Sequence, residues 1–181
     1  MKLNTIPWAN IEEWKEANNS IYKIIDLHKK RLNEIFELSL KIKSSYESIF
    51  PMMDSLCYET CLHCPDPCCI SAKIWFDYKD LLFLNLSACE NYKPENFGLA
   101  LTLSQPISNL NNMCRYLNPQ KGCTLSRIFR PFICTWYLCP AQKSNLRKKD
   151  KFITERFFSS LEFIRSARKQ LEEEMISISG V

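Results

Sequence analysis

Between Asn10 and Phe50 the chain carries neither glycine nor proline for forty-one residues, and Pro51 stands directly after them. A backbone without those two residues has few cheap places to turn, so a run this long is committed to regular structure. The apolar spacing selects helix. With Ile11 as position a, the a/d series is Ile11, Trp14, Asn18, Ile21, Ile25, His28, Leu32, Ile35, Ser39, Ile42, Tyr46 and Ile49, nine of twelve apolar or aromatic. Asn10 can cap the start, with Glu13 at the reciprocal position, and Pro51 is expected to close the end. One continuous helix here would span about 60 Å, long for a small domain. Asn18-Asn19-Ser20 is therefore a candidate break, giving an N-terminal helix or helix pair over 10–50.

A second long helix is expected near the other end. Ile153, Phe157, Leu161, Ile164, Leu171 and Met175 recur at helical spacing and predict a helix over about Asp150 to Ile178 whose stripe can pack on the first. Between the two, Ala72 to Phe76 reads as a short extended segment, and Asp77 can cap a strongly apolar helix running through Leu86. Residues Glu90 to Asn112, rich in Asn, Pro and Ser, read as loops and turns. The expected fold is mainly α: a single domain over 1–181, with long terminal helices flanking a loop-rich, cysteine-bearing region over 57–140.

Composition narrows the function classes. A chain of 181 residues fits one ordinary domain and can bury about 70% of the surface its unfolded form exposes. It has three glycines, and neither GxGxxG nor GxxxxGK[ST] occurs, so nucleotide binding has no sequence support. No stretch approaches eighteen apolar residues, and Met1 to Trp14 has no signal-peptide core, which predicts a cytoplasmic chain with no membrane association.

The chemistry lies in the cysteines. Four of ten fall in nine residues, at Cys61, Cys64, Cys68 and Cys69, and four more follow at Cys114, Cys123, Cys134 and Cys139. In a reducing compartment clustered thiols are more often metal ligands or redox groups than disulfides. Thiolates are soft anionic ligands, and zinc or an iron-sulfur cluster needs about four converging on one centre. The vicinal pair adds to this, because adjacent cysteines bridge each other only with strain and reach more naturally to different partners. Isolated Cys89 better fits a small buried hydrophobe. His63, inside the Cys61-x2-Cys64 knuckle, more naturally points away from a shared ion, and His28 on an apolar helix stripe is more often packed than ligating. Cys57 could join the first group.

The segment Cys61-x2-Cys64-x3-Cys68-Cys69, followed by Cys114-Arg115-Tyr116-Leu117, Gly122-Cys123 and Arg130-Pro131-Phe132-Ile133-Cys134, resembles the cysteine-cluster family described as zinc- or iron-chelating proteins. The resemblance covers about Cys61 to Cys139 and implies metal binding through these thiols. Proline follows Cys64 and Cys139, as it follows a ligand in bacterial ferredoxin runs, which tilts the choice of cofactor slightly from zinc toward iron and sulfur. The pattern is also similar to that of lysine N-methylases acting on flagellin, which implies an alternative as a methyl-transfer enzyme using an iron-sulfur centre. Cys57-x3-Cys61-x2-Cys64 matches the spacing of radical S-adenosylmethionine enzymes, but few glycines and no barrel pattern accompany it.

Partner surfaces are less sharply written. Arg147, Lys148, Lys149 and Lys151 precede the final helix and Glu172, Glu173 and Glu174 lie near its end, against the preference of the helix dipole. Such runs are commonly solvated faces, so nucleic acid is not expected. A third reading is a metal-stapled interaction module whose long helices offer their outer faces to a protein partner. Whichever reading holds, Cys68 and Cys69 are expected to face a common pocket with Cys114, Cys123 and Cys134.

Overall fold

The structure, a computed structural model, describes residues 11–71, 76–87, 114, 117–118 and 122–179. These are mainly helical. Helix α1 spans Ile11–Leu27 and α2 spans Asn33–Thr60, joined through a 3-10 turn at Lys29–Arg31. The break thus falls at His28 to Leu32 and not at Asn18-Asn19-Ser20. Asn18 is instead buried within α1, where its side-chain oxygen accepts a 2.9 Å bond from Asn85 Nδ2. A partner for its side-chain oxygen on a second helix removes the reason for a chain to turn at that asparagine, while Asn85 Oδ1 itself stays buried without a partner.

Nor does Pro51 end the helix. Helix α2 runs through it for nine more residues, to Thr60. The stripe explains why: Tyr46 and Ile49 continue at unbroken heptad spacing into Met53 and Leu56, all four buried. Burial of two further core residues outweighs the backbone bond that proline lacks. Cys57 and Cys61 consequently stand at the end of a long helix, not in a loop.

Among the described residues, the remaining elements are a 3-10 turn at Cys61–His63, α3 (Cys68–Ser71), α4 (Tyr78–Ser87), a two-residue antiparallel pair β1 (Leu117–Asn118) and β2 (Gly122–Cys123), a 3-10 turn at Arg127–Phe129, α5 (Ile133–Trp136), α6 (Pro140–Arg147) and α7 (Lys151–Ser179). Asp77 starts α4 as expected, its Oδ1 accepting from Asp80 N at 2.8 Å while Asp80 Oδ2 accepts from Asp77 N at 2.9 Å. Every residue of helix α4 except Lys79 is buried, and the helix lies against α1, α2 and α7.

Helices α2 and α7 form the main packing pair. The stripe Phe157, Leu161, Ile164, Leu171 and Met175 is buried as its spacing predicts, while Ile153 at its start is exposed. One stripe position is unlike the others: Arg168 is 1% exposed. Its Nη2 donates to Asp80 Oδ1 at 2.7 Å and Asp77 Oδ1 at 3.1 Å, and its guanidinium lies 4.8 Å from the centre of the Phe132 ring. Asp80 Oδ1 also accepts from Phe132 N at 2.9 Å, so one carboxylate ties α4, α7 and the segment leading to Cys134.

The charges set against the helix dipole have partners as well. Lys149 Nζ lies 2.7 Å from Glu59 Oε1 on α2, and Glu172 Oε2 lies 3.3 Å from Lys79 Nζ on α4. Tertiary pairing places these charges where the helix alone would not. Among the described residues, no helix is long and apolar enough to cross a membrane. Cys89, the segment from Ala72 to Trp75, and the stretch Glu90 to Asn112 lie outside the described residues.

Candidate metal and thiol site

None of the nine described cysteines is in a disulfide. They lie where the end of α2, the one-turn helix α3, the β1–β2 pair, α5 and the start of α6 come near one another in the chain's middle region.

Cys57 and Cys61 are one helical turn apart, on one face at the end of α2. The neighbouring Cys61 thiol pulls the Cys57 thiol down to about 5, with Arg127, which pairs with Asp54, acting in the same direction, while Cys61 moves up. Gln142 Nε2 lies 3.6 Å from each of the two sulfurs.

Gln142 is held there by Cys139. Cys139 is the N-cap of α6: its sulfur accepts from Gln142 N at 3.4 Å, and its N–H donates to Gln142 Oε1 at 3.2 Å. This is a capping box with sulfur in the place of the usual hydroxyl. Pro140 therefore opens a helix at N1. The Cys139-x-x-Gln142 spacing carries the signal of α6, a helix not among those expected from sequence.

A second gathering forms around the vicinal pair. Cys69 O accepts from Cys114 N at 2.7 Å, and buried Cys114 and Leu125 pack with Cys69, Leu117 and Cys123. The ladder places Cys123 opposite Leu117, with Gly122 taking the φ of 77° that favours glycine. Burial raises the Cys134 thiol, and Cys123 and Cys114 push it the same way. Cys134 and Cys114 also act on Cys69. Interaction with the adjacent Cys69 thiol brings the Cys68 thiol down to about 7, whereas Cys57 opposes that loss of a proton.

The eight thiols named from sequence thus divide. Cys69, Cys114, Cys123 and Cys134 share one neighbourhood, Cys61 and Cys139 share another with Cys57 and Gln142, and Cys68 lies between them. Cys64 and His63 are exposed. Among the described residues, no three His, Cys, Asp or Glu side chains stand close enough to hold a metal ion between them. Arg127, near the cysteines in sequence together with Arg115 and Arg130, is legible there as a donor that offsets thiolate charge, whereas Gln142 is not. Of the aromatics near the cysteines in sequence, Phe132 and Phe129 pack on the core, while Trp136 and Tyr137 are exposed and stack edge to face with each other.

Comparison of the chain with models of known protein families, with characterised proteins and with solved structures finds no match.

Proposed function

We propose that this chain is a thiol-based metal-binding protein, holding zinc or an iron-sulfur centre at the gathering of Cys69, Cys114, Cys123 and Cys134, with Cys68 and Cys64 adjacent in the chain. One observation carries the reading: residues up to 65 positions apart, Cys69 and Cys134, come into each other's electrostatic reach, with Cys114 and Cys123 alongside and no disulfide among them. Four neutral thiols could pack as small hydrophobes, yet the set is small, soft and nearly free of competing hard donors, which suits a thiophilic ion. The side chains in the described arrangement have still to draw together by ligand formation, as is usual where metal binding and local folding are one event. Zinc bound there would be a staple, and an iron-sulfur cluster would supply electron transfer. The two Cys-Pro steps favour iron and sulfur.

The test is anaerobic purification with analysis for iron, sulfide and zinc, repeated with Cys68→Ser and Cys134→Ser. Stoichiometric metal in the wild type and its loss in Cys134→Ser are expected. Full retention of metal in both variants would sink the reading.

The interaction-module reading has its own support. Phe152, Ile153, Phe158 and Phe163 are large exposed apolar residues on α7. A colourless zinc-loaded protein that captures a specific partner through wild-type α7, but not through Phe158→Ser/Phe163→Ser, would favour it.

A further inference from the structure

We infer that the cleft between α2 and α7 is a binding site for a small carboxylate with an apolar body, an aryl or short alkyl acid. It shares no residue with the proposed metal site.

Where the two long helices pack, small residues leave space. Ser48 on α2 and Ser160 on α7 line a cavity of about 200 Å³, together with buried Ile49 and Phe157 and, around them, Met52, Phe152, Ile153 and Arg156. An apolar cavity of roughly 150 Å³ holds benzene, so this one has room for a ring or short chain and one further polar group. Phe152 and Ile153 are 67% and 49% exposed, apolar area that an occupant would take from water.

The polar groups decide which occupant fits. Arg156 is the one charge among the lining residues, and none of them is acidic. Its side chain has no ion pair or hydrogen bond among the described residues, whereas Lys151, Arg165 and Lys169 of the same helix each face a glutamate. Ser160, one turn further along α7, also keeps its hydroxyl without a partner among the described residues, while Ser48 Oγ donates to Ser45 O at 2.8 Å. A guanidinium and a hydroxyl at i and i+4 are thus two donors on one face with no acceptor, and a carboxylate supplies it. A neutral ligand would leave the guanidinium unpaired, and an amine would be repelled. Burial of the apolar body contributes affinity, and Arg156 sets orientation and selects the anion.

The experiment follows the Met52 methyl by NMR in the full chain labelled at methionine methyls, with Met52→Leu to assign the signal. At pH 7 the protein is titrated with phenylacetate, its neutral isostere phenylacetamide, and phenethylamine. A saturable shift with phenylacetate is expected, at an affinity about tenfold above that of the amide, and none with the amine. Arg156→Gln, at an exposed position, should lower phenylacetate affinity to that of the amide and leave the amide's own unchanged. Ser48→Phe, also at an exposed position, should fill the cleft and abolish the shift. No saturable Met52 shift with phenylacetate in the wild type overturns the site, as does equal affinity for acid and amide. So does an Arg156→Gln chain that binds phenylacetate as tightly as wild type, or a shift that persists in Ser48→Phe.

Discussion

At the residue scale, the division of labour between Cys57 and Cys61 follows from their proximity and one cation. Two thiols a helical turn apart interact, and Arg127 favours the charged form of Cys57, so Cys57 is pulled down while Cys61 moves up. In metal-free, reduced protein at pH 6.5, iodoacetamide is therefore expected to label Cys57 ahead of Cys61, because the thiolate is the nucleophile and Cys57 is pulled down to about 5. Peptide mass mapping of a time course reads this directly. Equal rates at the two positions would contradict the assignment. Nothing in the sequence marks Arg127 as the partner, since Asp54 and Cys57 lie some seventy residues before it.

At the element scale, helix α2 is the informative case. Its local signals conflict: proline argues for an end at Phe50, and the heptad stripe argues for continuation. The stripe wins because Met53 and Leu56 are fully buried and exposed Pro51 loses only one backbone bond. Pro51→Ala should then restore that bond and raise stability by about 1–3 kcal/mol in a denaturant titration. A fall in stability would mean that the packing of the last turns, and with them Cys57 and Cys61, depends on a bend at proline. The opposite lesson comes from α6, whose start is marked by Cys139 as cap, Pro140 at N1 and Gln142 at N3. All three marks were present in sequence, yet a sulfur cap is easily read as a ligand alone.

At the scale of the whole molecule, Arg168 and Asp80 join the parts. They connect α7 to α4 and, through Phe132 N, to the segment ahead of Cys134, while Tyr46 of α2 lies against the same Phe132 ring. Burial pushes the Asp80 carboxyl up to about 6, with Arg168 pulling the other way. Since that value lies above the ordinary 3.8, this group favours the fold fully below 3.8, and the contribution is lost as pH rises through 6. Arg168→Met leaves Asp80 buried without its cation and should cost about 3–5 kcal/mol at pH 7. The loss should shrink at pH 5, where Asp80 takes a proton. Urea unfolding at the two pH values measures both; a cost below about 1 kcal/mol, or one independent of pH, would count against this network as the tie between helices.

What the sequence by itself determined is the helical character of the chain, the faces of its two long helices and the identity of its soft donors. Those properties are local: periodicity at 3.6 residues and the chemistry of a side chain need no distant partner to be read. Tertiary structure decided where the first helix breaks, that α2 passes Pro51, that an arginine belongs on the buried stripe of α7, and which thiols are neighbours. All but the passage through Pro51 turn on a group far away in the chain: Asn85 for Asn18, Asp80 for Arg168, Gln142 for Cys57. The free energy of a buried polar or sulfur group depends on whether that partner is present.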